Sequence, residues 1–236
     1  MFKRACLQAR FFYFIGERVE VPEPIFIDNH LLVINKPTGI LVQGDRSGDL
    51  SLLDMAKAYI KEKYAKPGNV YLGLVHRLDR PASGLVVLAR TSKAAARLSE
   101  QFRERRVSKV YLALVEGEVP PEAYWSDRII RNGVTSRIGT NDEGGLARLS
   151  YRCIKCEKNV SLVEINLETG RHHQIRLQFS SRGFPLLGDF RYGSKITFGD
   201  KAIALHARSL TLSHPTKNEI MTFAAEPDNS WRNYIN

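Results

Sequence analysis

Three cysteines in 236 residues, an odd number, leave no disulfide framework to read. Cys153 and Cys156 form one C-x-x-C, but no second pair exists to complete a zinc site. Both lie in the alternating stretch 149–156, which reads as a strand with positions three apart on opposite faces. Ordinary reduced cysteines follow from that. His76, His172, His173, His206 and His214 offer no H-E-x-x-H or comparable ligand spacing, so no metal site is expected. Neither a G-x-G-x-x-G nor a Walker A string is present, so no nucleotide cofactor is expected either. No apolar run approaches the ~20 residues needed to cross a bilayer. The run Phe11-Phe12-Tyr13-Phe14-Ile15 is too short for a secretory core, and Arg10 sits against it. The expectation is a cytoplasmic protein with no membrane, metal or cofactor partner.

What the chain does have is positive charge. Its formal net charge is +10 and its pI about 9.6. A basic excess of that size favours an anionic partner, with nucleic acid first. A hydrophobic fraction of 43% supports a sizeable core.

No repeat or Gly/Ser-rich linker divides the sequence. Pro22 and Pro24 mark a break between a short N-terminal extension, 1–24, and a single body, 25–236. Residues 25–27 and 31–34 read as strands around an Asp28-Asn29 turn. Ser51 caps a helix to about 65, with Leu52, Met55, Ala56, Tyr59 and Ile60 on one face. A second helix runs from about 92 to 105 and exposes Arg97, Arg103, Arg105 and Arg106. Stretch 109–115 alternates as a strand, with Tyr111, Ala113 and Val115 on one side. Residues 124–163 look like antiparallel strands joined by turns, and 205–212 and 221–224 read as further strands. This pattern predicts an α+β fold: a mainly antiparallel mixed sheet with flanking helices.

Two segments carry chemistry. In His76-Arg77-Leu78-Asp79-Arg80-Pro81-Ala82-Ser83-Gly84, one carboxylate sits between two arginines. The apolar run Leu85-Val86-Val87-Leu88-Ala89 behind it reads as a buried strand. Neighbouring positive charge favours the ionised form of a carboxylate, which suits a nucleophile or base. Taken alone, the string also fits a surface ion-pair loop. It is not a kinase catalytic loop, because the residue order is wrong and no glycine-rich loop precedes it. The second segment is Thr169-Gly170-Arg171-His172-His173-Gln174-Ile175-Arg176. Thr169 is expected to cap a helix to about 182, with His172, Arg176 and Ser180 on one face. Ile175 and Phe179 would anchor it, leaving Arg176 partly buried and in need of a carboxylate, with Asp79 the obvious candidate.

These segments, with Asn35-Lys36-Pro37-Thr38-Gly39, Ser108-Lys109-Val110-Tyr111-Leu112-Ala113, Leu187-Gly188-Asp189-Phe190-Arg191-Tyr192-Gly193 and Leu205-His206-Ala207, resemble in order the RluA-type RNA pseudouridine synthases. The chain departs from that pattern at Pro81-Ala82, usually Asp-Thr, and at His172, usually Thr. With about 24 residues ahead of the body, the S4-like module of some members is not expected. The resemblance implies isomerisation of uridine in tRNA or rRNA, by a monomer with no obligate protein partner and no cofactor. It assigns Asp79 as the catalytic carboxylate, and Arg176 as the arginine that fixes it bidentately. It makes Tyr111 the ring against the target base, Leu205 the apolar residue opposite, and Arg77 the side chain that meets the flipped nucleotide. Lys36, Arg80, Lys109, Arg171 and the arginines between 97 and 106 become candidates for phosphate contacts. Two other classes compete: an RNA-binding or RNA-folding protein on the same scaffold, and a metal-dependent nuclease using His76 and Asp79.

Overall fold

The computed structural model describes residues 10–14, 17–140 and 142–235. The remainder of the expected N-terminal extension, with Cys6, lies outside the described residues. Strands β1 (Arg10–Phe14) and β2 (Glu17–Val21) form a separate hairpin.

The body is built on one sheet. It contains β3 (Pro24–Ile27), β4 (Leu31–Lys36), β5 (Gly73–Leu74), β6 (Ser83–Ala89), β7 (Ser108–Glu116), β8 (Glu122–Asn132), β9 (Thr135–Ile138), β10 (Gly145–Glu157), β11 (Val160–Leu167), β12 (Leu205–Ser213) and β13 (Ile220–Ala224). The order is β3-β4-β6-β12-β7-β11-β10-β8-β9, with β13 beside β12 and β5 beside β6. Every described pairing is antiparallel except β6 with β12. The expected α+β class with a mixed, mainly antiparallel sheet is therefore what the chain adopts.

Helix α1 (Leu52–Lys63) starts where Ser51 and Asp54 satisfy each other's backbone N–H groups in a capping box. Its apolar stripe packs on Leu32, Ile34, Val86 and Leu88. Helix α2 (Ser92–Arg103), capped by Thr91, sits on the other face against Leu31, Val33, Leu85 and Val87. Alternate residues of β4 and β6 thus serve two cores, which is why both strands read as unbroken apolar runs. Helix α3 (Gln174–Ser180) puts Ile175 and Phe179 among Tyr111, Ala113, Val115, Val163 and Ile165, as the alternation of β7 predicted.

Two local expectations are corrected. A bulge between Cys153 and Lys155 shifts the β10 register. Cys153 then pairs with Val163 and Cys156 with Ser161, two apart on β11, so the cysteines share a face. Both are free thiols. Helix α3 starts at Gln174 and not near Thr169, because His173 takes a left-handed conformation, φ 53°. Thr169 is occupied elsewhere: its hydroxyl accepts from Arg148 N at 2.8 Å and donates to Gln174 Oε1 at 2.7 Å. His172 therefore lies in a turn ahead of the helix and shares no helical face with Arg176.

The parallel seam is where the architecture places the chemistry-bearing residues. Register aligns Lys36, Gly84, Ala207, Tyr111 and Ile165 across five neighbouring strands. The loop carrying Asp79 enters β6 beside Gly84, a member of this row.

Candidate active site

The Asp79 loop is tied down on several sides. Gly39 N donates to Arg80 O at 2.9 Å, Ile203 N to Pro81 O at 3.0 Å, and Ala82 N to Asp79 O at 3.1 Å. Lys36, fully buried, donates to the carbonyls of Pro37 and Ile40 at 2.9 Å and of Arg80 at 3.2 Å. Burial lowers this lysine to about 7, against the pull of the Asp79 charge. It is thus a structural pin and unavailable to a phosphate, contrary to expectation. His76 accepts Val87 N at Nε2, 2.9 Å away, and stacks on Phe102. Burial holds its imidazole down to about 4. A neutral ring with Nε2 already occupied there is a poor metal ligand, which removes the support for a His76–Asp79 nuclease. Among the described residues, no group of three or more His, Cys, Asp or Glu converges as a metal site.

Asp79 is partly exposed, and its Oδ2 accepts from Arg176 Nη1 at 2.9 Å. Contrary to expectation, the guanidinium does not clamp Asp79 bidentately. Its Nε and Nη2 go to Asp189, at 2.7 and 2.8 Å, and the two-pronged geometry is spent on that buried carboxylate. Burial disfavours the Arg176 charge, but the hydrogen bonds and charge of Asp189, with those of Asp79, raise its pKa overall.

His173 Nε2 stands 3.5 Å from the same Asp79 Oδ2. Its Nδ1 meets Tyr192 Oη at 2.9 Å, and that oxygen also accepts Ser136 N at 2.8 Å. Burial holds His173 down to about 4, so near neutrality the ring carries one hydrogen. A carboxylate facing Nε2 puts the hydrogen there, which assigns Tyr192 as donor to Nδ1. Arg176 and His173 both address Oδ2, leaving Oδ1 as the less encumbered oxygen.

Around this carboxylate lies a cleft of about 700 Å³. Arg77, Arg103, Arg105, Lys109, Arg131 and Arg171 line it and give it a positive field. Arg77 is exposed. Lys109 is held down to about 8 by burial and by Arg105. Tyr111 also lines the cleft, and burial together with the Asp79 charge raises its hydroxyl well above its ordinary pKa, so it stays protonated. Leu205 is buried in the apolar cluster that contains Tyr111 and is not among the cleft-lining residues. Arg176 lines a second recess, which shares Asp79, Arg80 and His173 with the cleft. Of the remaining phosphate candidates, Arg80 pairs with Asp49 at 2.8 Å and Arg97 donates to Pro215 O at 2.6 Å.

The residues that sequence reasoning missed are Asp189, His173 and Tyr192. An acid one glycine beyond the apolar stretch Pro185-Leu186-Leu187 was a signal for the first, since a buried arginine needs anionic neutralisation. Nothing local announced the other two.

Residues 30–181 match the sequence profile of the family described as RNA pseudouridylate synthase. The chain is 35% identical over 225 residues to ribosomal large subunit pseudouridine synthase D of Zymomonas mobilis, covering 89% of this chain and 71% of that protein. It is 34% identical over 223 residues to ribosomal large subunit pseudouridine synthase C of Buchnera aphidicola, covering 90% and 69%. Among solved structures, human RNA pseudouridylate synthase domain containing 1 superposes with a TM-score of 0.68 at 28% identity, covering 88% of this chain and 83% of that one. Human RNA pseudouridylate synthase domain containing 4 gives 0.75 at 24% identity, covering 89% and 91%, a likeness of fold.

Proposed function

Because the chain belongs to the RNA pseudouridylate synthase family, and so to the isomerases, we propose that it converts specific uridines of ribosomal or transfer RNA to pseudouridine with Asp79 as the catalytic carboxylate. The names of the relatives, ribosomal large subunit synthases, favour ribosomal RNA. We assign the catalytic body to 25–236, working as a cytoplasmic monomer.

The observation that carries this reading is the Asp79 carboxylate, anchored through Oδ2 by Arg176, in a cationic cleft that it shares with Tyr111. The reaction breaks the N1–C1′ bond, turns the uracil and joins C5 to C1′. One proton leaves C5 and one arrives at N1, with no net redox change and no co-substrate. Attack at C1′, addition at C6 or proton abstraction at C2′ all need a carboxylate oxygen within about 3–3.5 Å of its target. Oδ1 is the oxygen free to approach. Tyr111 stays a hydroxyl at neutral pH and would flank the base while it turns. Leu205 would support that wall from the cluster it shares with Tyr111. A stacked uridine cannot be reached, so the nucleotide is extruded at a cost of a few kcal/mol, and Arg77 at the cleft mouth would meet it. Lys109, Arg171, Arg103 and Arg105 would track the phosphates.

Mapping pseudouridine in total RNA of cells with and without the gene, complemented by the parent or by Asp79→Ala, tests the assignment. The expected result is at least one site lost in the deletion and restored only by the parent. Full restoration by Asp79→Ala would instead favour an RNA-binding protein on this scaffold.

A further inference from the structure

Asp189 and Phe190 are chain neighbours in opposite environments, 1% and 60% exposed. Asp189 is buried against Arg176, whereas the Phe190 ring stands in solvent beside the same site. The turn Phe190–Tyr192 that holds it is not loose. Before it, Gly188 has φ +80°, and a Cβ there would lie 2.2 Å from Ala202 O. Within it, Arg191 Nη1 donates to Val134 O at 3.0 Å, and Tyr192 Oη accepts from Ser136 N at 2.8 Å. A large apolar ring is thus held outward by a fixed backbone, at a cost that burial would have recovered.

The ring borders the second recess, of about 420 Å³. Pro81, Ala202 and Ile203 contribute apolar lining, and Arg80, Arg191 and Lys201 bring positive charge. The acids lining it are Asp79 itself and the doubly bonded Asp189. Asp79 is therefore a wall common to this recess and to the cleft that holds Tyr111. A flat apolar surface with flanking cations fits an unpaired base and its phosphate.

We propose that the Phe190 recess is a second nucleotide subsite, which stacks the base adjoining the target uridine. The inference rests on the reading of the Asp79 cleft as the uridine site. A ribose at Asp79 with its base towards Tyr111 leaves the next nucleotide of the same strand at the Phe190 side. Extrusion of the uridine costs stacking, and a stack on Phe190 offsets part of it.

The test uses short single-stranded RNAs with one uridine and 2-aminopurine, a stacking-sensitive fluorescent base, on its 5′ or its 3′ side. Binding to the full chain should quench the fluorophore on one of the two sides. Phe190→Ala and Phe190→Leu should weaken binding about tenfold, within the roughly 5- to 150-fold that one base–aromatic stack is worth, and relieve the quench. Phe190→Trp should retain both. Affinity within twofold of the parent for Phe190→Ala, or full retention by Phe190→Leu, would overturn the subsite. Failure of the enzymatic reading would appear separately, as the absence of Asp79-dependent pseudouridine in cells.

Discussion

Asp189 accepts two hydrogen bonds from Arg176 while almost wholly shielded from water, and Arg176 in turn holds Asp79 through one. The three form a chain in which the inner carboxylate neutralises the guanidinium and the outer one is presented to the cleft. Removing the inner acid leaves a buried cation under-compensated, which costs about 3–5 kcal/mol. Asp189→Asn should therefore lose about 3 kcal/mol in urea denaturation, with a melting temperature lower by roughly 10 °C. Asp79→Asn, at a more open position, should lose about 1 kcal/mol or less yet abolish pseudouridine formation. Equal stability of the two variants would show that Asp189 does not carry the guanidinium.

The His173 ring should be a neutral imidazole with its hydrogen on Nε2. Long-range 1H–15N spectra of the labelled protein would identify Nε2 as the protonated nitrogen from pH 8 down to about 5, since burial holds the group down to about 4. The hydroxyl of Tyr192 stabilises this neutral form by donating to Nδ1. Tyr192→Phe removes that donor, so the His173 pKa should rise and an imidazolium should face Asp79 at a higher pH. A hydrogen found on Nδ1 in the parent, or an unmoved titration in the variant, would refute the assignment.

The parts legible in the sequence are those whose cause is local. The Ser51 cap, the apolar run of β6 and the Tyr111-Ala113-Val115 alternation each follow from a few neighbouring residues. The parts that escaped it were decided by tertiary partners. Lys36 reads as a candidate for a phosphate contact, yet three carbonyls from two loops satisfy its ammonium in the interior. Thr169 reads as a helix cap, but β10 and Gln174 claim its hydroxyl. The pairing of Asp79 with Arg176 was anticipated from burial, but the competition of Asp189 for the same guanidinium was not. Two carboxylates around one arginine cannot be ranked without their distances.

His76 should make the fold acid-sensitive. Its imidazole accepts a backbone hydrogen bond only when neutral, and burial lowers it from 6.5 to about 4. Between those values the unfolded chain binds more protons than the folded one, so stability rises with pH across this window and is flat above it. Its contribution would be lost on acidification, in total of the order of 1–3 kcal/mol. His76→Gln keeps an acceptor and does not titrate. Urea midpoints measured from pH 6.5 to 4.5 should fall less steeply in that variant than in the parent, and parallel slopes would remove His76 as the cause.

Gly84 joins the sheet to the site, and its substitution separates two effects. Its φ is +114°, and a Cβ there would stand 2.3 Å from Ala207 N and 2.5 Å from Ala207 O. The parallel seam closes only because this position has no side chain. Gly48 also has a positive φ, +77°, but nothing lies within 4 Å of its Cβ position. Alanine at Gly48 meets backbone strain alone, about 1 kcal/mol. Alanine at Gly84 meets strain and a clash with backbone that cannot rotate away, about 3 kcal/mol or more. Relief would come by parting β6 from β12, which moves the Asp79 loop relative to Tyr111. A displacement near 1 Å in a reacting group can cost about a hundredfold in rate. Gly84→Ala should therefore lose at least tenfold in kcat while still folded, whereas Gly48→Ala keeps parental kcat. If both variants kept the parental rate and differed little in stability, the close approach of β6 and β12 would not be what sets the distance between Asp79 and Tyr111.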